Sequence, residues 1–137
     1  MQTRIFPGQL EKLADISLFV VQVAEEAGLD ESAVYAVQLA VDEAATNIIE
    51  HAYQGEDRGE ICCSIESNPE GLKITLQDWG IPFNPAEIPD PIIGAPLEEV
   101  QSSGLGLFFI RKLMDEVQFD FSADKGNTVT MIKKRSH

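Results

Sequence analysis

Four short runs of the chain carry residue types that can do chemistry. Glu43, Asn47 and His51 are spaced i, i+4, i+8, so a helix sets a carboxylate, a carboxamide and an imidazole in one row. Val37, Val41, Ala44 and Ile48 take the core side of that helix, which leaves the polar row at its margin, facing water or a ligand. Asp78-Trp79-Gly80 closes an apolar stretch. An aspartate at a strand end can accept a hydrogen bond from an exocyclic amine, and glycine lets a flat ring approach the backbone. Ser102-Ser103-Gly104-Leu105-Gly106-Leu107 stands at a helix start, where free N–H groups and the positive dipole end make an anion site. Gly126-Asn127-Thr128 enters a last strand, and the Thr128 hydroxyl faces the same pocket as Asp78 if the two strands are neighbours. Taken singly, each run has a bland alternative: a solvated helix face, a turn, a helix start, a hairpin.

The elements that must position these residues follow from periodicity. Thr3–Phe6 reads as a short strand stopped by Pro7-Gly8. Apolar residues from Leu10 to Ala27 recur at helical spacing, and Gly28 sits where a C-terminal cap belongs. Asp30 is a good N-cap for a second helix running to about Ala52. Glu60–Ser67 alternates as a strand with Ile61, Cys63 and Ile65 on one face, and Asn68-Pro69-Glu70-Gly71 turns it into Leu72–Gln77. Residues 79–103 show no period and hold five of the seven prolines. A loop of that length inside a compact domain is typically a functional lid. A helix with Leu107, Ile110, Leu113 and Met114 inward follows, then a hairpin of Val117–Ser122 and Thr128–Lys133. The expected fold is an α+β two-layer sandwich, a mostly antiparallel mixed sheet with helices on one face, spanning residues 1–137 as a single domain.

Composition narrows the partners. A chain of 137 residues buries about two-thirds of its unfolded surface, enough for one core without metal or disulfide staples. Ten basic against 23 acidic residues give a net charge of −13. Such a surface repels phosphate backbones and anionic lipid, so direct nucleic-acid and membrane binding are disfavoured. A nucleotide is not excluded, because backbone N–H groups and a divalent ion can hold it. There is no apolar run of the roughly 20 residues that a bilayer needs and no signal-peptide pattern. Cys62 and Cys63 are adjacent and point to opposite faces of a strand, which suits neither an ordinary disulfide nor a metal pair. A reducing, cytoplasmic location is expected. The glycine pair is not a P-loop, since no Gly-Lys-Ser/Thr occurs, and it lacks the six-residue dinucleotide fingerprint.

The order of the four runs, together with the long loop, resembles the ATP site of the GHKL (histidine-kinase-like ATPase) superfamily and its Bergerat fold. Asn47-Ile48-Ile49-Glu50-His51-Ala52-Tyr53 and the stretch from Gly104 to Val117 narrow the resemblance to the bacterial anti-sigma factor serine kinases. The resemblance implies an ATP lid over about residues 79–103, with ATP and Mg²⁺ as ligands. It implies that Asn47 gives its side-chain oxygen to Mg²⁺. Glu43 would sit near the γ-phosphate and act as general base on a serine hydroxyl of the partner, or orient that hydroxyl. Asp78 would accept from the adenine amino group with help from Thr128, Gly80 would leave room for the base, and Gly104, Leu105, Gly106 and Leu107 would hold phosphates by backbone N–H. His51 is left between ligand contact and packing.

One departure bears on activity. No Lys or Arg lies between Lys73 and Arg111, whereas relatives that transfer phosphate keep a basic residue ahead of the glycine pair, where this chain has Gln101-Ser102. Phosphoryl transfer depends on charge stabilisation. Arg4, Arg58, Arg111 or a partner's arginine is left to supply it. The first functional expectation is therefore a kinase that phosphorylates a serine of an anti-sigma-factor antagonist (STAS-domain) protein in a partner-switching system, with a sigma factor and a homodimer as further associations. The alternative is a nucleotide-dependent partner-binding switch with little or no kinase activity. A third reading, a stand-alone relative of sensor histidine kinases, would place acid-labile phosphate on a partner.

Overall fold

The computed structural model describes residues 1–82, 110–122 and 126–135. Strand β1 (Gln2–Pro7) leads through a short 3₁₀ turn into helix α1 (Leu13–Glu26), and helix α2 (Glu31–Asn47) continues as a π-helical turn over Ile48–Ala52. Strands β2 (Glu60–Asn68), β3 (Gly71–Asp78), β4 (Glu116–Ser122) and β5 (Gly126–Lys134) complete the described elements, with one helical turn through 110–113 ahead of β4. The sheet order is β1-β2-β3-β5-β4. Every described pair is antiparallel, so the sheet is not mixed among these strands.

Local signals act where they stand in the sequence. The Asp30 carboxylate accepts from the Ala33 N–H at 2.8 Å and opens α2. Asn68 Oδ1 accepts from the N–H groups of Glu70 and Gly71 at 2.9 and 3.0 Å, which shapes the β2–β3 turn. Ile16, Phe19, Val20 and Val23 of α1 and Val34, Val37, Val41 and Ala44 of α2 are buried. They meet Ile61, Cys63 and Ile65 of β2, Leu72, Ile74 and Leu76 of β3, and Val129 and Met131 of β5 in one core. Each large aliphatic side chain there stabilises the fold by about 1.5–3 kcal/mol. The alternate residues Thr75, Gln77, Thr128 and Thr130 are half-buried on the sheet's other face. No helix among the described residues is long and apolar enough to cross a membrane.

The second helix departs from simple α geometry where the sequence reading ran it straight to Ala52. The Thr46 hydroxyl donates to the Asp42 carbonyl at 2.7 Å, a back-bond that loosens helices. After Asn47 the pitch widens, and the Tyr53 N–H reaches the Ile48 carbonyl five residues back at 2.9 Å.

Candidate functional site

A cleft opens between the C-terminal end of α2 and the ends of β3, β4 and β5. Ala44, Asn47 and Ile48 form one wall; Asp78, Asn127, Thr128 and Val129 form the floor; Ile110, Phe119 and Phe121 close the far side. Three polar side chains of this region are buried: Asn47 at 6% exposure, Asp78 at 3% and Asn127 at 5%. Buried polar groups are normally partnered, so three at one cleft mark it as built for something polar.

Asp78 ends β3 directly across from Asn127. Its Oδ1 accepts from Asn127 Nδ2 and from the Gly80 N–H, both at 2.9 Å. Burial pushes the Asp78 carboxyl above the ordinary carboxylate range, and those two donors pull it partly back. Glu43 sits one helical turn before Asn47, half-buried and outside the cleft lining. Its carboxyl is also raised, by burial first and then by the neighbouring charges of Asp42 and Glu50. A carboxylate tuned upward in this way is a better proton acceptor than a free glutamate.

The end of α2 is fastened to the end of β3. The Tyr53 hydroxyl donates to the Glu60 carbonyl and accepts from the Trp79 N–H, the latter at 3.1 Å. The Ile81 N–H reaches the Ala52 carbonyl at 2.7 Å. Gly80 packs so closely that a Cβ there would lie 2.4 Å from the Ala52 carbonyl oxygen. The space its missing side chain leaves is therefore filled by the helix end.

Gly126 has a positive φ of 77°, and a Cβ there would come within 2.4 Å of the Asp78 carbonyl oxygen. Gly126→Ala is expected to lower stability by about 2 kcal/mol or more through left-handed strain alone. That corresponds to a melting temperature lower by about 8 °C in a thermal melt. An unchanged melt would show that the Asp78–Gly126 approach is slack.

A model of the histidine kinase-like ATPase domain matches residues 6–133. The chain belongs to this family. The serine-protein kinase RsbW of Bacillus mycoides (strain KBAB4) is 35% identical to it over 131 residues, covering 93% of this chain and 80% of that protein. Among solved structures, the RsbU and RsbW domains of Rv1364c from Mycobacterium tuberculosis superimpose with a TM-score of 0.66 at 15% identity, over 100% of this chain and 33% of that one. The catalytic domain of histidine kinase ThkA gives 0.57 at 15% identity, over the whole of both chains. These structural likenesses establish the ATPase-domain fold.

Within this ATPase domain, Asn47 and Asp78 both border the cleft, and Gly80 is hydrogen-bonded to Asp78 and to Asn127. His51 falls on the π-helical turn, half-buried and outside the cleft lining. Gly104, Leu105, Gly106 and Leu107 lie outside the described residues, as does the loop from 83 to 103. Thr128 borders the cleft on a strand that neighbours β3, but it pairs with Gln77, one residue out of phase with Asp78. Asn127 is the side chain that meets Asp78. The signal was available: Val129 and Met131 are the inward apolar residues of β5, and Asn127 shares their phase.

Proposed function

We propose that this ATPase domain binds Mg²⁺-ATP in the cleft and transfers the γ-phosphoryl group to a serine of a partner protein. The observation that carries the reading is the buried Asp78 carboxylate, held through one oxygen at the floor of the cleft, with the Asn47 carboxamide on the opposite wall. Asp78 accepts from the purine amino group. The name serine-protein kinase attached to the relatives supports the choice of acceptor.

A hard, buried carboxamide oxygen fits Mg²⁺, which Asn47 would hold together with the oxygens of the bound triphosphate. The ion neutralises charge on the phosphates when bound. Glu43 takes the serine proton as the serine oxygen bonds to the γ-phosphorus. The bond from that phosphorus to the bridging oxygen breaks, and its electron pair leaves with ADP. By the family resemblance, the serine belongs to an anti-sigma-factor antagonist of the STAS type, and a sigma factor and a second copy of the domain are further partners. The two free cysteines accord with a cytoplasmic setting.

A second reading, a nucleotide-dependent switch with little transfer, has its own observation. No arginine or lysine borders the cleft among the described residues. Arg4 lies over the Phe19 ring at 4.8 Å, on the edge strand β1. Arg58 and Arg111 are exposed, and Arg135 bonds the Ala27 carbonyl. Calorimetry with Mg²⁺-ATP, followed by γ-labelled ATP with candidate antagonist proteins, separates the readings. Heat plus acid-stable label on serine is expected. Heat without label on any partner favours the switch, and no heat at millimolar nucleotide removes both.

A further inference from the structure

Asn127 does more at the cleft floor than fill a strand position. Its Nδ2 donates to Asp78 Oδ1 at 2.9 Å and to the Gly80 carbonyl at 3.0 Å. Both partners are acceptors, so the amide has one allowed orientation, because turning it over would set its oxygen against two oxygens. Both amide hydrogens are then committed. The atom that Asn127 has left for a ligand is its Oδ1, as Asp78 has its second oxygen, and both residues border the cleft. Among the described residues neither of these two oxygens takes a hydrogen bond. These two side chains therefore offer acceptors and no donor to whatever enters.

We infer that Asn127 sets the base selectivity of the cleft, by fixing the Asp78 carboxylate and adding a second acceptor, so that a purine amino group is read through both of its hydrogens. The inference rests on the nucleotide reading above. It goes further in assigning Asn127 as the positioning residue and in requiring an unsubstituted amino group. A 6-oxo purine turns an acceptor toward acceptors and is rejected. A methylated amino group retains one hydrogen and loses one bond.

The test is binding by the full chain of Mg²⁺-ATP, Mg²⁺-N6-methyl-ATP and Mg²⁺-ITP. Calorimetry and the fluorescence of Trp79, the single tryptophan, report it without any turnover. The Trp79 indole adjoins Gly126, immediately before Asn127. The wild-type protein is expected to bind the methyl analogue about 10-fold more weakly than ATP, the equivalent of one hydrogen bond. ITP is expected to bind at least about 100-fold more weakly. In Asn127→Leu the ATP to N6-methyl-ATP ratio falls to about 1–2, because only one acceptor remains. Asn127→Val, β-branched and without donor or acceptor, is expected to show the same fall; it is the variant to read if the leucine chain does not fold. A ratio near 1 in the wild type, or an unchanged ratio in the variants, overturns the inference while leaving nucleotide binding in place. A wild-type protein that binds none of the three removes the nucleotide reading itself.

Discussion

Glu43→Gln is expected to leave ATP binding intact and to lower phosphoryl transfer to serine by about 10²–10⁴-fold, the usual contribution of a positioned base. Glutamine keeps the shape and the half-buried setting but cannot take the serine proton. Binding is preserved because Glu43 does not border the cleft that holds the base. The pH profile adds a second readout. Burial, Asp42 and Glu50 all raise the Glu43 carboxyl, so it protonates at a higher pH than a free glutamate. Only the ionised form is a base, so transfer falls as pH drops through that raised value, and the glutamine variant lacks this limb. Equal kcat in the two proteins would sink the assignment of Glu43, whatever the affinity.

Asp78→Asn is expected to lose at least about 100-fold in ATP affinity while the unliganded chain melts no lower than the wild type. Asparagine keeps an oxygen for the Asn127 and Gly80 donors, so the fold retains both hydrogen bonds. Its amide hydrogens then face the cleft, where they oppose the hydrogens of an adenine amino group, and a donor set against a donor rejects strongly. The same change turns the cleft toward a 6-oxo purine, so ITP gains on ATP. The stability side follows from linkage. The folded carboxyl is raised above its unfolded value, so over that interval the unfolded chain binds fewer protons. The stability contribution of Asp78 is therefore complete below the unfolded value and lost as pH rises through the folded one. The variant carries no such loss, so its melting temperature relative to wild type increases from acid toward neutral pH. Melts at both ends of the range, beside a calorimetric titration, check the two halves separately. A variant that binds ATP normally would dissociate Asp78 from the purine.

Much of this architecture is legible in residue order because local chemistry decides it. Asp30 caps a helix wherever a helix follows, and Asn68 makes its turn from its own side chain. The alternation of Ile61, Cys63 and Ile65 needs no partner to be recognised. The features that residue order does not show depend on more distant relations. The π-helical turn at Ile48 arises where α2 must meet Tyr53 and Ala52 against β3, and an i+4 pattern does not record that meeting. The Thr128 hydroxyl stands out in the sequence, whereas the phase of Val129 and Met131 sets Asn127 across from Asp78. Gly80 has the Ala52 backbone as its nearest neighbour, a contact formed only after helix and strand have docked.

The tie between the end of α2 and the end of β3 has an energetic consequence. Tyr53, Ala52 and Ile81 fix the span between the carboxamide of Asn47 and the acid of Asp78 before any guest arrives. These two grips behave as the jaws of a calliper locked at one width. Little ordering entropy remains to oppose capture on this side of the pocket, so affinity there is governed by fit to a preset gauge rather than by the work of assembling it.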